Sequence, residues 1–363
     1  NRIKIGFVSP DFQNHSVSNF ILPILENYDR EKFQVFCYYN NVKHDMITEN
    51  VIANCDKFTN IKGLTDEELF EKIKKDKINI LFDLCGHWAN NNLSLFSRKA
   101  APIQISWIGY PNTTGLKEID YRFTSKYADP ANNDDKFYSE KLYRLPETFL
   151  CFNKLDEISY SQTPPSKFCK QITFGSFNNI LKISNSTIIA WAKVMQNVEN
   201  SRLILKSSSE VDGETFEDIR TEFQKLGIDK NRISLLERTE TRRQHLLCYN
   251  FLDIALDTFP FNGATTTFES LWMGVPVLTI EGKHHVSRVS TSALKTLKLD
   301  EFVGHNLDDF VKKAQLICAN ESKLTSYRKN LREKMRNSLL TDAEKFTRNF
   351  ENSIIEVWLK NKK

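Results

Sequence analysis

Short apolar runs rich in branched and aromatic residues alternate along this chain with amphipathic stretches of helical period, and that alternation restricts it to folds built on parallel sheets. IKIGFVS (3–9) leads into a helical SVSNFILPILENYD, FQVFCYY (33–39) is followed by a helical TDEELFEKIKKDK, and INILFDLCG and PIQISWIGY supply two further strands. Strands of this length and apolar content, separated by amphipathic helices, belong to sheets covered on both faces. The pattern lapses in KLDEISYSQTPPSKFCK (154–170), a polar stretch with a proline pair, and then restarts: ITFGSFN, STIIAWAKVMQNV, RLILKS, ETFEDIRTEFQKLG, RISLLER, RQHLLCYNFL, DIALDTF and PVLTI. The expected class is therefore α/β, with two doubly wound Rossmann-like domains. They divide as residues 1–165 and 166–363, the second ending in bracing helices. A length of 363 residues agrees with two cores of ordinary size.

Charge and cysteine content exclude several function classes. The net charge is +4, and the basic residues are scattered through helices such as EKIKKDK (71–77), so no nucleic-acid partner is called for. Seven widely spaced cysteines, with no C-x-x-C pair, read as reduced thiols of a cytoplasmic protein. No apolar run reaches the length of about 20 residues that a membrane helix needs, and the first residues carry no signal-peptide pattern. The adjacent His284 and His285 lack ligand-spaced partners, so no metal is expected.

One junction concentrates the chemistry. In DTFPFNGATTTFESLWMGVPVLT (257–279) a strand-like run gives way to a helix-like run through a glycine and three threonines. Ligands of parallel sheets sit where strand ends lead into helix N-termini, whose free amides and positive dipole attract phosphate. Gly263 permits close approach, and Thr265, Thr266 and Thr267 add hydroxyls. The competing structural explanation is a capping box, since Thr266 and Glu269 have its spacing. Lys182 in FGSFNNILKIS follows another strand on the same side, where it would neutralise a diphosphate; taken alone, it is an ordinary solvated lysine. No G-x-G-x-x-G or Walker motif is present, which argues against a dehydrogenase or a P-loop enzyme. His15 and His87 stand in loops after first-domain strands, as catalytic groups or as structural histidines.

Five blocks, SPDFQNHSV, GHWANN, APIQISWIGYPNTTGL with DYRFT and ADP following, FNNILKIS, and DTFPFNGATTTFESLWMGVPVLT, stand in the order of the O-GlcNAc transferase and SPINDLY family of protein O-glycosyltransferases, which the chain resembles over almost its whole length. The resemblance implies a GT-B architecture and an inverting, metal-independent transfer of one monosaccharide from a nucleotide sugar to Ser or Thr of a protein or peptide, without a cofactor. By that likeness Lys182 stabilises the departing diphosphate and His15 belongs to the active site; by position alone His15 and Asp11 are candidates for the general base, with substrate-assisted proton removal as the alternative. Asn179, His245, Asn262, Gly263, Thr265, Thr266, Thr267 and Glu269 line the nucleotide sugar. His87, Tyr110, Pro111 and Thr113 lie on the acceptor or sugar side. Ala264 replaces a histidine of the animal O-GlcNAc transferases, and the T-T-T-F-E-S run is closer to SPINDLY, which favours GDP-fucose over UDP-GlcNAc as donor. The family's tetratricopeptide repeats have no counterpart in these residues. A glycan acceptor or a catalytically inactive nucleotide-sugar-binding adaptor are the alternative readings.

Overall fold

A computed structural model describes residues 2–131, 133–155, 158–207 and 211–361. It divides into two compact units, Asn1–Lys154 with Leu339–Lys363, and Leu155–Ser338. In the first unit β1 (Ile3–Ser9), β2 (Phe33–Tyr39), β3 (Lys57–Asn60), β4 (Ile80–Asp83), β5 (Ile103–Ser106), β6 (Tyr121–Ser125) and β7 (Lys141–Leu145) form one sheet ordered β3-β2-β1-β4-β5-β6-β7. The second unit holds β8 (Ile172–Ser176), β9 (Ser201–Lys206), β10 (Ile233–Leu236), β11 (Ile254–Leu256), β12 (Val277–Ile280) and β13 (Val303–Gly304), ordered β10-β9-β8-β11-β12-β13. All described pairings are parallel, and in each sheet the strand order reverses beside the first strand, at β1/β4 and at β8/β11. Both units are Rossmann-like, as the alternation predicts. Among the described residues no helix is long and apolar enough to cross a membrane.

Strands that the apolar pattern does not announce lie mainly at edges. β3 (KFTN) and β7 (KLYRL) each pair on one side only and carry polar residues there, as edge strands do. β6 is interior, but its apolar signal is interrupted by the buried Arg122.

The domain division departs from the expected 165/166 boundary. The chain leaves the first unit after Lys154 and comes back at Leu339, so the last helix, Ala343–Asn361, belongs to the first unit. Residues 156 and 157 of the polar stretch lie outside the described residues. The physical reason is a bare sheet face. Among the described residues the β5–β6 connection contains no helix and the β6–β7 connection only the 3₁₀ turn Asn133–Phe137, yet a parallel sheet needs cover on both sides. The last helix supplies it through Phe346, Phe350, Ile354 and Val357, spaced for one helical face and all buried. Phe350 packs its ring 4.9 Å from Trp107, 5.5 Å from Phe82 and 5.6 Å from Phe123. Phe350→Ala is expected to destabilise the protein by about 3–5 kcal/mol. Denaturant unfolding with an unchanged midpoint would show that this helix is dispensable to the first unit.

Candidate functional site

In the second unit the strand-order reversal falls between β8 and β11, whose carboxyl ends carry Phe177–Lys182 and Asp257–Gly263. The sharp loop after β11 is held by one carboxylate. Asp257 Oδ1 accepts from the amides of Gly263 at 2.7 Å and Thr258 at 2.9 Å, while Oδ2 accepts from Thr279 Oγ1 at 2.8 Å. Burial pushes the Asp257 pKa up, against these hydrogen bonds and the nearby Lys182 charge. Asn262 is buried, its side-chain amide donating to Thr258 O at 3.0 Å.

The Thr265–Trp272 helix starts directly after this loop. Its N-cap is Ala264, whose side chain makes no capping bond, so the capping-box explanation does not hold. Thr266 Oγ1 instead donates to Asn178 Oδ1 at 2.9 Å, and Glu269 turns to His245, with Oε2 3.2 Å from Nε2. Thr267 Oγ1 meets Ser290 Oγ at 2.8 Å, and Ser290 donates to Gly263 O at 3.1 Å. Among the described residues the buried Thr265 Oγ1 has no hydrogen-bond partner, and nothing accepts from the amides of Ala264, Thr265 and Thr266. A Cβ on Gly263 would fall 2.5 Å from Thr266 Oγ1 and 2.9 Å from Thr267 Oγ1, so only glycine fits among these hydroxyls. At the other end of the helix Arg332 Nε donates to Trp272 O at 2.6 Å and Arg328 Nη1 to Met273 O at 3.3 Å. Cations there complement the helix dipole and anchor the element that presents the threonines.

Lys182 ends a 3₁₀ turn, Ile180–Lys182, whose first amides are capped by Asn179: its Oδ1 accepts from Leu181 N at 3.0 Å. The ammonium donates to Asn262 O at 3.0 Å and lies 3.9 Å from the centre of the Phe261 ring. Burial pushes its pKa down to about 8, with Asp257 opposing. His245, on the Arg242–Cys248 helix, sits in an aromatic wall with Tyr249 and Phe177, ring centres 5.7 and 5.9 Å away. The structure thus brings together Asn179, Lys182, His245, Asn262, Gly263, Thr265, Thr266, Thr267 and Glu269 in one unit. Ammonium, hydroxyl and amide donors surround the start of one helix, a donor set suited to an anion.

The first unit gathers its candidates at the carboxyl ends of β1, β4 and β5. Asp11 and His15 follow β1, with His15 Nδ1 3.5 Å from Asp11 Oδ2. Val17 N also donates to that Nδ1 at 3.3 Å, so neutral His15 in this arrangement carries its proton on Nε2. Burial pushes the Asp11 pKa up, and the His15 charge opposes it. His87 Nε2 donates to Thr114 O at 2.9 Å, and its ring stands edge-on to Tyr110, 5.1 Å between centres. Pro111 is partly buried beside it in the same loop. Thr113 Oγ1 donates to Glu140 Oε2 at 2.6 Å. Burial acts to raise the Glu140 pKa, but bonds from Thr113 and Thr114 outweigh it and hold the carboxyl below its usual range. Ile108, a β-branched residue, has φ +55°, a strained value, in the loop leading to Tyr110.

Some partners escaped the sequence reading. Asn178, Asp257 and Ser290 were within or near recognised blocks but had no chemical signal of their own. Asp83 ends β4 and is buried, its pKa pushed up to about 6 by burial against backbone bonds from Cys85 and Gly86. A carboxylate closing the apolar run ILFD was the available signal. Among the described residues no group of three or more His, Cys, Asp or Glu is arranged to hold a metal ion.

Paired Rossmann-like units with a polar cradle at the reversal of the second sheet define the GT-B class of glycosyltransferases. A lipopolysaccharide outer core galactosyltransferase, WaaB, shares that fold at a TM-score of 0.61 and 12% identity, over 98% of this chain and 99% of its own. The chain belongs to glycosyl transferase family 41, whose sequence profile matches residues 1–159 and 165–350. Among its relatives is a probable UDP-N-acetylglucosamine–peptide N-acetylglucosaminyltransferase SPINDLY of Solanum lycopersicum, 39% identical over 98% of this chain and 39% of the relative. The SPINDLY protein of Arabidopsis thaliana is 36% identical over 99% of this chain and 40% of the relative. The structure of a Thermobaculum terrenum O-GlcNAc transferase mutant superposes with a TM-score of 0.94 at 31% identity, covering 99% of this chain and 68% of that one. The chain spans about two fifths of the length of the curated plant relatives.

The Lys182 charge supports a sign-specific prediction. Its folded pKa, about 8, lies below the unfolded 10.5, so between those values the unfolded chain holds the extra proton and stability rises with pH. Below pH 8 the buried charge destabilises the ligand-free protein. Lys182→Met should therefore raise the melting temperature at pH 7 and flatten its rise between pH 8 and 10.5. A lower melting temperature in that variant at pH 7 would contradict this account.

Proposed function

We propose that this chain is the catalytic region of a protein O-glycosyltransferase of the O-GlcNAc transferase and SPINDLY type, using a nucleoside diphosphate sugar. The observation that carries the reading is the half-buried Lys182 ammonium beside an N-terminal helix turn with free amides and a Thr265 hydroxyl unpartnered among the described residues. An acceptor Ser or Thr hydroxyl attacks the anomeric carbon on the side opposite the diphosphate, and the configuration inverts. Negative charge collects on the departing diphosphate, where Lys182 and the helix amides stabilise it more strongly than they stabilise the bound donor. On this reading protein donors do this work without a metal ion. Asp257, the carboxylate nearest the cradle loop, is already engaged by Gly263 and Thr279.

His15 is the first unit's candidate for receiving the acceptor proton, with Asp11 steadying the imidazolium. Acting through Nε2 requires the proton on Nδ1, facing Asp11, in place of the Val17 bond. The Ala264 position and the SPINDLY-like threonine run favour GDP-fucose as donor, while the names of the plant relatives carry UDP-N-acetylglucosamine. Calorimetric titration with GDP and UDP separates the two.

Lys182→Ala is expected to lower kcat by about 10²-fold or more, the usual effect of removing one preorganised transition-state contact. A near-normal rate would take Lys182 out of the mechanism. Thr266→Val should weaken nucleoside diphosphate binding several-fold with the fold intact by circular dichroism; unchanged affinity would leave Thr266 only its bond to Asn178.

A further inference from the structure

Lys206, the last residue of β9, stands at the same sheet edge as the cradle, one strand beyond β8. It is only 2% exposed. Among the described residues its ammonium has no hydrogen bond or ion pair, whereas buried lysines are normally partnered. Burial lowers its pKa; Glu269 and Cys248 favour the charged form and Arg238 opposes it. The side chain is largely buried, and an ammonium unpaired among the described residues, within the electrostatic reach of Glu269, is a donor with no acceptor there.

Its place along the cradle indicates what it would meet. Glu269 lies four residues, about 6 Å along the axis, beyond Thr265. On the nucleotide reading of the cradle, phosphates at Thr265 place the ribose along Glu269 and the base towards His245 and Lys206. We propose that Lys206 donates a hydrogen bond to the nucleobase, at O6 of guanine or O4 of uracil, and thereby selects these bases over adenine or cytosine. Guanine and uracil present a carbonyl acceptor at that position, whereas adenine and cytosine present an amino group, itself a donor. This inference rests on the reading of the cradle as a nucleoside diphosphate site.

The test is calorimetric titration of the 363-residue chain with GDP, UDP, ADP and CDP, in the wild type and in Lys206→Met and Lys206→Arg. The wild type should bind at least one of GDP and UDP about 10-fold or more tightly than ADP and CDP, as one charge-assisted bond in a dry site allows. Lys206→Met should abolish that preference with less than about 3-fold change for ADP and CDP, and Lys206→Arg should keep it. Lys206→Met should also melt at a higher temperature without ligand, because an unpaired buried charge has been removed. Equal loss for all four nucleotides, an unchanged preference, or a lower melting temperature would each overturn the role of Lys206. Failure of the wild type to bind any of the four would overturn the nucleotide reading of the cradle as well.

Discussion

The buried carboxylate of Asp257 is the pin on which the second unit's site depends. Its two oxygens take the amides of Gly263 and Thr258 and the hydroxyl of Thr279, folding the chain back so that the cradle helix begins at the reversal of strand order. The same loop offers the Asn262 carbonyl that holds the Lys182 ammonium. A buried charge of either sign is costly alone, and each of these two lessens the cost of the other. The cradle is therefore preorganised before any ligand arrives, which is what the proposed role toward a departing diphosphate requires.

The first unit solves a different problem at its own strand reversal. Its loops after β1, β4 and β5 carry imidazoles, carboxylates and aromatic rings instead of a helix start with free amides. Asp83 binds the amides of Cys85 and Gly86, and Gly86 lies so close to Tyr110 that a Cβ would meet the Tyr110 Cβ at 2.3 Å. Close backbone approach, a strained Ile108 and a buried carboxyl together fix where His87 and Tyr110 stand. The final helix, by covering the face beneath Phe82, Trp107 and Phe123, keeps this sheet rigid from the far end of the chain.

Legibility varied with the range of the interaction. The threonine run announced the cradle because helix starts after buried strands have a local signature, and its hydroxyls do lie there. The Thr266–Glu269 spacing suggested a cap, but Asn178 and His245, 88 and 24 residues away from their partners, draw those side chains elsewhere. Lys206 has no such signal within RLILKS, since nothing local shows that a strand-terminal lysine is 2% exposed and unpaired among the described residues.

By itself the sequence determined the alternation of buried strands with amphipathic helices, and hence two parallel-sheet units with ligand-facing loops at strand ends. Period and apolar content are properties of neighbouring residues, so they are readable without coordinates. Only the tertiary structure decided that the last helix returns to the first sheet, that Lys182 reaches the loop held by Asp257, and that Lys206 has no acceptor among the described residues. Each of those facts depends on which distant segment covers a surface or supplies a partner, and burial of that kind is set by the packed whole.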